Sequence, residues 1–292
     1  MQELKYSQFE KQRLDIFLSQ TFPDYSRSYF QNLISGGLSV LVNNKPSSSN
    51  YKLKRADIVQ IEFPKETPSI LKAEKIPLDI IYEDADIIVI NKQAGLVVHP
   101  SYGHPDGTLL NGIIGYAKGK FSPFMVHRLD KDTSGLIIFA KNEKSKISIS
   151  KQFANRAVKK LYYAAVKGTI TENEGRIEAP IGRSPENRKL MLVNPTATKM
   201  AISEFKVISR KDGYTLIEVH IITGRTHQIR SHMRYINHPV IGDTEYGGPD
   251  RIDNKIIKRQ MLHSHQITLT HPKTCKSIKF EAPLPKDIKE LF

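Results

Sequence analysis

A proline-interrupted, charged segment divides this chain into two parts of unequal size. The segment PKETPSILKAEKIP, residues 64–77, carries three prolines and several charged residues, a composition typical of a linker. The part before it is short enough to hold only a small core, whereas the part after it is long enough for a full domain. We therefore expect a small domain over residues 1–63, a linker, and one large domain over residues 78–292.

The charge balance favours a polyanionic partner. Lys and Arg number 44 against 30 Asp and Glu, a formal net charge of +14, and such an excess is typical of proteins that bind nucleic acid. Only one cysteine is present, Cys275, which excludes a disulfide framework and a multi-cysteine metal site. The polar N-terminus and the lack of a run of about 18 apolar residues lead us to expect a soluble, cytoplasmic protein with no membrane partner.

Helix and strand patterns both occur in the N-terminal part. Leu14, Phe17 and Leu18 recur at helical spacing, and Ser26 is a suitable N-cap for a second helix. The segments SVLVNNKP and DIVQIEFP alternate in the manner of strands. We expect a small α/β domain made of these four elements.

Basic residues gather at one edge of this small domain. Arg27 lies in the first turn of the second helix, and Lys52 and Arg55 lie near the strand connection. Such an edge suits sequence-independent contacts with phosphate, although a solvated surface would show the same pattern. Residues 13–63 resemble the RNA-binding domain named after ribosomal protein S-four. That family usually has a glycine where Ala56 stands, so we expect a different turn there.

The C-terminal part is rich in strands. PLDIIYEDADIIVINK reads as two strands joined by a turn, GLIIFAKN as a short apolar strand, and NEKSKISISKQFANRA as a helix. KLYYAAVKGTI and YTLIEVHIITG alternate as strands do. Because strands and helices intermingle without strict alternation, we expect an α+β fold in which helices flank a mixed sheet.

The most informative stretch is MVHRLDKDTSGLIIFAKN, residues 125–142. A polar loop with His127, Arg128 and Asp130 precedes an apolar strand, and sites are often built where such loops meet a rigid sheet. The flanking cations are expected to lower the pKa of Asp130 and keep it ionised, so that it can act as a nucleophile or a base. An aspartate that caps a turn would show the same local pattern.

Tyr162 is a second candidate. Period-two alternation places it on one strand face beside small residues, so its ring has room to stack on a nucleobase. A core or edge tyrosine fits the same spacing.

The segment TGRTHQIRSHMRYINHP, residues 223–239, adds a third group. It predicts a helix from about Thr226, with Arg230 beside the buried stripe. A buried guanidinium needs a partner, and Asp130 would supply one. Arg225 and the helix N-terminus offer a site for phosphate. The alternative is a solvated basic helix.

Together these segments resemble the RluA family of pseudouridine synthases, and its RluD-type members in particular. The match rests on HRLDKDTSGL, KLYYAAVKG and TGRTHQIRSHM, with support from IPLDIIYEDADIIVINKQAGLVVHPS and LHSHQITLTHP. The resemblance covers nearly the whole chain and implies a mainly antiparallel sheet. It also implies isomerisation of uridine in RNA, with large-subunit (23S) ribosomal RNA as the substrate. A monomer without metal, redox cofactor or nucleotide cofactor is implied as well.

The resemblance assigns a role to each matching residue. Asp130 would be the essential aspartate, Tyr162 would stack on the uracil, and Arg230 would hold Asp130 charged. Arg128 would fill the space left by the flipped nucleotide, because an enzyme that reaches this bond must take the base out of the stack. Two further residues would shape the loop: His127 and Leu129. Ser231 stands where the family commonly has valine.

Three other interpretations remain open from the sequence. A metal-dependent hydrolase could use histidine ligands, for which the candidates are His227, His232, His238, His263 and His265. A non-catalytic RNA-binding or ribosome-assembly factor would need the same basic surface. Transfer RNA could also replace ribosomal RNA as the substrate.

Overall fold

The computed structural model describes residues 2–23, 25, 27–36, 39–63, 71–101, 103–187, 189–252 and 255–292. The chain divides into two compact units, Met1–Ile70 and Leu71–Phe292. Two expectations lie outside the described residues, namely the N-cap Ser26 and residues 64–70 of the linker.

The N-terminal unit combines two helices with a four-stranded antiparallel sheet of order β1-β4-β2-β3. Its elements are β1 (Gln2–Lys5), α1 (Leu14–Thr21), α2 (Arg27–Ser35), β2 (Val40–Val42), β3 (Lys45–Pro46) and β4 (Ile58–Ile61). The predicted helical stripe is buried, since Leu14 and Leu18 share one core with Phe30 of α2 and Val59 of β4. The two helices and the two strand segments that the sequence predicted are present. β1 was not predicted, because its residues are mostly exposed and show no clear alternation.

A large sheet of eleven strands, counted over the described residues, forms the basis of the C-terminal unit. These strands are β5 (Ile80–Glu83), β6 (Ile87–Lys92), β7 (Phe124–Met125), β8 (Ser134–Ala140), β9 (Lys159–Lys167), β10 (Glu174–Arg183), β11 (Met191–Val193), β12 (Met200–Lys211), β13 (Tyr214–Ile221), β16 (Leu262–Thr270) and β17 (Ser277–Glu281). A separate short ladder joins β14 (Arg251–Ile252) and β15 (Lys255–Ile256). The helices are α3 (Leu109–Ala117), α4 (Glu143–Ala154), α5 (Gln228–Tyr235) and α6 (Lys286–Lys289), with a 3₁₀ turn at Thr244–Tyr246.

The sheet is mixed and mainly antiparallel, as expected. Its order is β11-β10-β12-β13-β9-β16-β8-β6-β5, with β17 paired to β16 and β7 paired to β8. Among the described strands, β16 and β8 form the single parallel pair. They approach so closely that a Cβ on Gly135 would lie 2.2 Å from the carbonyl oxygen of Ser264, so this position requires glycine.

The centre of the sheet is buried on both faces. In β8, Ile137 and Phe139 belong to one apolar cluster, and Leu136 and Ile138 belong to another. Helices α3 and α5 contribute side chains to the first cluster, and Ile149 of α4 contributes to the second. Strands covered on both sides read as continuous apolar runs, which explains why GLIIFAKN shows no alternation.

Residues 71–77 belong to the C-terminal unit rather than to a free linker. The Glu74 amide donates to the Asn111 carbonyl at 3.1 Å, and the Asn111 side chain donates to the Lys72 carbonyl at 2.9 Å. A Cβ on Gly115 would lie 2.1 Å from the carbonyl oxygen of Glu74. Residues 71–77 are therefore held against α3.

Candidate active site

A cavity of about 450 Å³ opens where the loop before β8 faces the start of β9 and the loop before α5. Asp130, Tyr162 and Arg230 all line it, so the structure brings the three predicted residues together. The loop is held in place by Lys92, whose ammonium donates to the carbonyl oxygen of Lys131 at 2.8 Å and to that of Leu96 at 2.9 Å.

Asp130 faces two side chains of the α5 region. Its Oδ2 lies 3.5 Å from Nη1 of Arg230, and its Oδ1 lies 3.7 Å from Nε2 of His227. The Asp130 carboxylate is about one-fifth exposed and its backbone carbonyl accepts from the Thr133 amide at 3.2 Å. A partly exposed carboxylate with one guanidinium beside it remains accessible to a substrate.

Arg230 has stronger partners than Asp130. Its Nε and Nη2 donate to the two carboxylate oxygens of Asp243 at 2.6 and 2.8 Å, and Nη2 also donates to Glu245 at 2.8 Å. Burial opposes the charge, but the hydrogen bonds and the charge of Asp243 raise the pKa of Arg230 above its usual value. Asp130, the carboxylate that the sequence suggested for Arg230, lies 3.5 Å from the remaining nitrogen Nη1, and Asp243 is a second, closer partner that the sequence did not identify.

Tyr162 lies deep in the cavity wall. Only 6% of its surface is exposed and its ring belongs to the main apolar cluster. Burial raises the pKa of Tyr162 to about 12, so the phenol is neutral at physiological pH.

His227 was considered in the sequence only as a metal ligand, yet it faces Asp130. It adopts a left-handed conformation with φ 52° as the N-cap of α5, which is why the helix begins at Gln228 rather than at the predicted Thr226. Its Nδ1 lies 2.8 Å from the Tyr246 hydroxyl, which accepts from the Met191 amide at 2.8 Å. The hydrogen of that hydroxyl is available for Nδ1, and in that tautomer Nε2–H points towards Asp130.

The remaining predicted residues of this unit fall around the same cavity. Arg128 is exposed and Leu129 is buried in the apolar cluster. The Nε2 of His127 accepts from the Ile138 amide at 2.9 Å, and burial together with the charge of Lys160 lowers the pKa of His127 to about 3. Arg225 lines the cavity and donates to the Met200 carbonyl at 3.2 Å. His127 is therefore a neutral acceptor that fixes the loop to β8.

Three predicted RNA-binding residues belong to the N-terminal unit. Arg27 donates to the buried carboxylate of Asp15 at 3.0 Å while its side chain stays 48% exposed. Lys52 is exposed, and the Arg55 guanidinium lies 4.1 Å from the centroid of the exposed Phe9 ring. All three keep charged groups at the surface of their own unit.

The histidines proposed as metal ligands do not converge. Over the described residues, the one cluster with metal-ligand spacing is Asp84, Asp86 and His271, which contains none of them. His232 is instead buried, with Nδ1 3.0 Å from the Ser203 hydroxyl, and His238 Nδ1 contacts the Lys167 carbonyl at 2.8 Å.

The C-terminal unit is thus a mixed sheet that brings an aspartate, a tyrosine and an arginine into one cleft. Residues 86–235 match the family model described as RNA pseudouridylate synthase, and residues 12–59 match that of the S4 domain. The chain belongs to the RNA pseudouridylate synthase family. It is an RNA pseudouridine synthase, an isomerase with an RNA partner.

Relatives and a solved structure agree with this assignment. The chain is 41% identical over 97% of its length to the Bacillus subtilis protein named uncharacterized RNA pseudouridine synthase YlyB, of which 94% is covered. It is also 41% identical over 96% of its length to ribosomal large subunit pseudouridine synthase D of Neisseria meningitidis, of which 78% is covered. The structure of human RNA pseudouridylate synthase domain containing 1 matches 74% of this chain and 87% of that chain, with TM-score 0.61 and 26% identity.

Across the described residues, no helix has the length and apolar character needed to cross a membrane.

Proposed function

We propose that this protein converts specific uridines of large-subunit (23S) ribosomal RNA to pseudouridine, with Asp130 as the essential carboxylate. The observation that carries the proposal is the shared cavity in which Asp130 faces Arg230 while Tyr162 forms part of the wall. The names of the similar ribosomal large subunit synthases support the choice of RNA.

The reaction breaks the bond between the uracil nitrogen and the anomeric carbon of the ribose and rejoins the ring through carbon. The base must leave the RNA stack to reach Asp130, and the exposed Arg128 at the cavity rim is suited to occupy the space that it vacates. Asp130 then acts as a nucleophile or a base. The detached uracil is retained by the apolar wall around Tyr162, whose neutral ring offers a stacking surface.

Arg230 supports this chemistry because Asp243 and Glu245 hold its guanidinium in place. A donor fixed in advance stabilises charge on Asp130 without reorganising during the reaction. The N-terminal domain supplies sequence-independent contacts through Arg27, Lys52 and Arg55.

The test replaces Asp130 with asparagine or alanine and compares each variant with Asp132→Asn, which makes the same charge change in the same loop. Pseudouridines are mapped in RNA from a deletion strain complemented with each form. We expect the Asp130 variants to bind RNA but to leave the target uridines unmodified, while Asp132→Asn modifies them. Modification that persists in Asp130→Ala would refute the role of Asp130, and targets confined to transfer RNA would refute the ribosomal substrate.

A further inference from the structure

A lysine, Lys160, lies inside the active-site cavity together with several arginines. Its side chain leaves β9 on the same face as Tyr162, lines the cavity, and belongs to a residue that is only 7% exposed. Among the residues that the structure describes, none provides a hydrogen-bond acceptor or a carboxylate for its ammonium group. The ammonium nitrogen itself is not fully enclosed, so a ligand in the cavity can reach it.

Lys92 shows how this protein satisfies a buried lysine that serves only the fold. It is 1% exposed, and its ammonium donates to the carbonyl oxygens of Gln93, Leu96 and Lys131 at 2.8 to 2.9 Å. Lys160 has no such set of acceptors within the described residues. Burial lowers the pKa of Lys160 to about 8 and that of Lys92 to about 7, so the two lysines differ in their hydrogen-bond acceptors and not in the direction of the pKa shift.

The surroundings of the Lys160 ammonium favour an anion. The Phe153 ring centroid lies 5.6 Å from Nζ, a cation–π contact, and a Cβ on Gly224 would lie 3.6 Å from Nζ, so the ammonium packs against the glycine backbone. Cations line the same cavity at Arg128, Arg156 and Arg225. Of the described residues, Asp130 alone contributes a carboxylate to the lining, and it already faces Arg230 and His227.

We propose that Lys160 binds a phosphate oxygen of the RNA strand next to the extruded uridine. Residues two apart on a strand are separated by about 7 Å. This separation of Lys160 from Tyr162 is similar to the distance between a base and the phosphate of the same nucleotide. Lysine binds phosphate as a compact point charge. The identity of this anion as RNA rests on the proposed function.

The test compares Lys160→Met with Lys159→Met, which removes the same charge from the neighbouring exposed position. Binding of a short oligouridylate is measured against salt concentration. We expect Lys160→Met to weaken affinity about tenfold, as for one charge-assisted hydrogen bond, and to reduce the slope of log K against log salt by about 0.7. The Lys159 variant should bind like the wild type.

Thermal melting and catalysis provide independent readouts. Lys160→Met should melt close to the wild-type temperature, because the Lys160 ammonium makes no hydrogen bond within the described residues and its nitrogen is not fully buried. Its modification of a mapped target should be impaired mainly through KM. A marked loss of stability would show that the ammonium serves the fold, and equal salt slopes for the two variants would show that it touches no phosphate. Either result overturns the proposal. Failure of the wild type to make pseudouridine would refute the proposed function instead. The salt dependence of oligouridylate binding would still show whether Lys160 contacts phosphate.

Discussion

The two acids that hold Arg230 should differ sharply in their contribution to stability. The Asp243 side chain is 2% exposed and pairs with two nitrogens of the guanidinium, whereas Glu245 is 58% exposed and contacts one. Removing one partner of a buried ion pair costs about 3–5 kcal/mol, but an exposed pair contributes only about 0.2–1 kcal/mol. We therefore expect Asp243→Asn to lower the free energy of unfolding by about 3 kcal/mol and Glu245→Gln by less than about 1 kcal/mol.

The same pair of variants separates stability from catalysis. Without Asp243, the guanidinium of Arg230 can move towards Asp130, which now stands 3.5 Å away, and a tighter pair would restrain the carboxylate. We expect kcat to fall at least about tenfold in Asp243→Asn, equivalent to about 1.4 kcal/mol of barrier, with RNA affinity nearly unchanged. Urea unfolding measures the loss of unfolding free energy. Tritium release from RNA labelled at carbon 5 of uridine measures the fall in kcat. Equal losses of unfolding free energy in Asp243→Asn and Glu245→Gln would refute the argument that the buried acid contributes more than the exposed one.

Two predictions concern the N-terminal unit. Hydrogen bonds from Arg13, Gln31 and Arg27 overcome the opposing effect of burial and lower the pKa of Asp15 to about 2, so the charged form stabilises the fold above about pH 4 by about 2 kcal/mol. That contribution should disappear as the pH falls through about 2. The melting temperature of Asp15→Asn should therefore depend less steeply on pH over this window than that of the wild type. An unchanged pH dependence would contradict the lowered pKa of Asp15. Ala56 has φ 74°, a left-handed conformation that costs about 1–2 kcal/mol for alanine, so Ala56→Gly should stabilise by about 0.5–1 kcal/mol after the unfolded-state entropy is counted. Urea titration checks this, with Ala56→Val expected to destabilise.

Strong local patterns made the sequence predictions succeed where they did. The hairpin of β5 and β6, the apolar strand β8 and the helix α4 each carry their own periodicity or turn residues. β10 was not identified, although its burial alternates, because Gly175, Pro180 and Gly182 interrupt its sequence pattern. The backbone at Ala56 is left-handed, a conformation that the residue preference of alanine argues against.

The two closer acidic partners of Arg230, Asp243 and Glu245, could not be predicted from the sequence for a different reason. Asp243 and Glu245 lie in a loop and a 3₁₀ turn without any periodic pattern, and their distance from Arg230 is set by how that loop returns to α5. The position of Arg230 beside an apolar seam showed that it needed an acid, but the spacing did not show which acid. His227 was obscured in a similar way, because its left-handed backbone removes it from the helix that the sequence predicted.

The register of the sheet explains why the three site residues meet although they are far apart in the chain. Tyr162 lies opposite Val219 of β13 on one side and Ser264 of β16 on the other. Ser264 in turn lies opposite Gly135, near the start of β8. The loop that carries Asp130 therefore enters the sheet beside Tyr162. On the other side, β13 ends at Ile221, two residues after Val219, and the chain then continues into α5, which carries Arg230. A shift of one residue in the pairing of β8 with β16 would turn the side chains of β8 to the opposite face. Gly135 permits the close contact between these two strands, and this contact therefore also keeps Asp130 aligned with Tyr162.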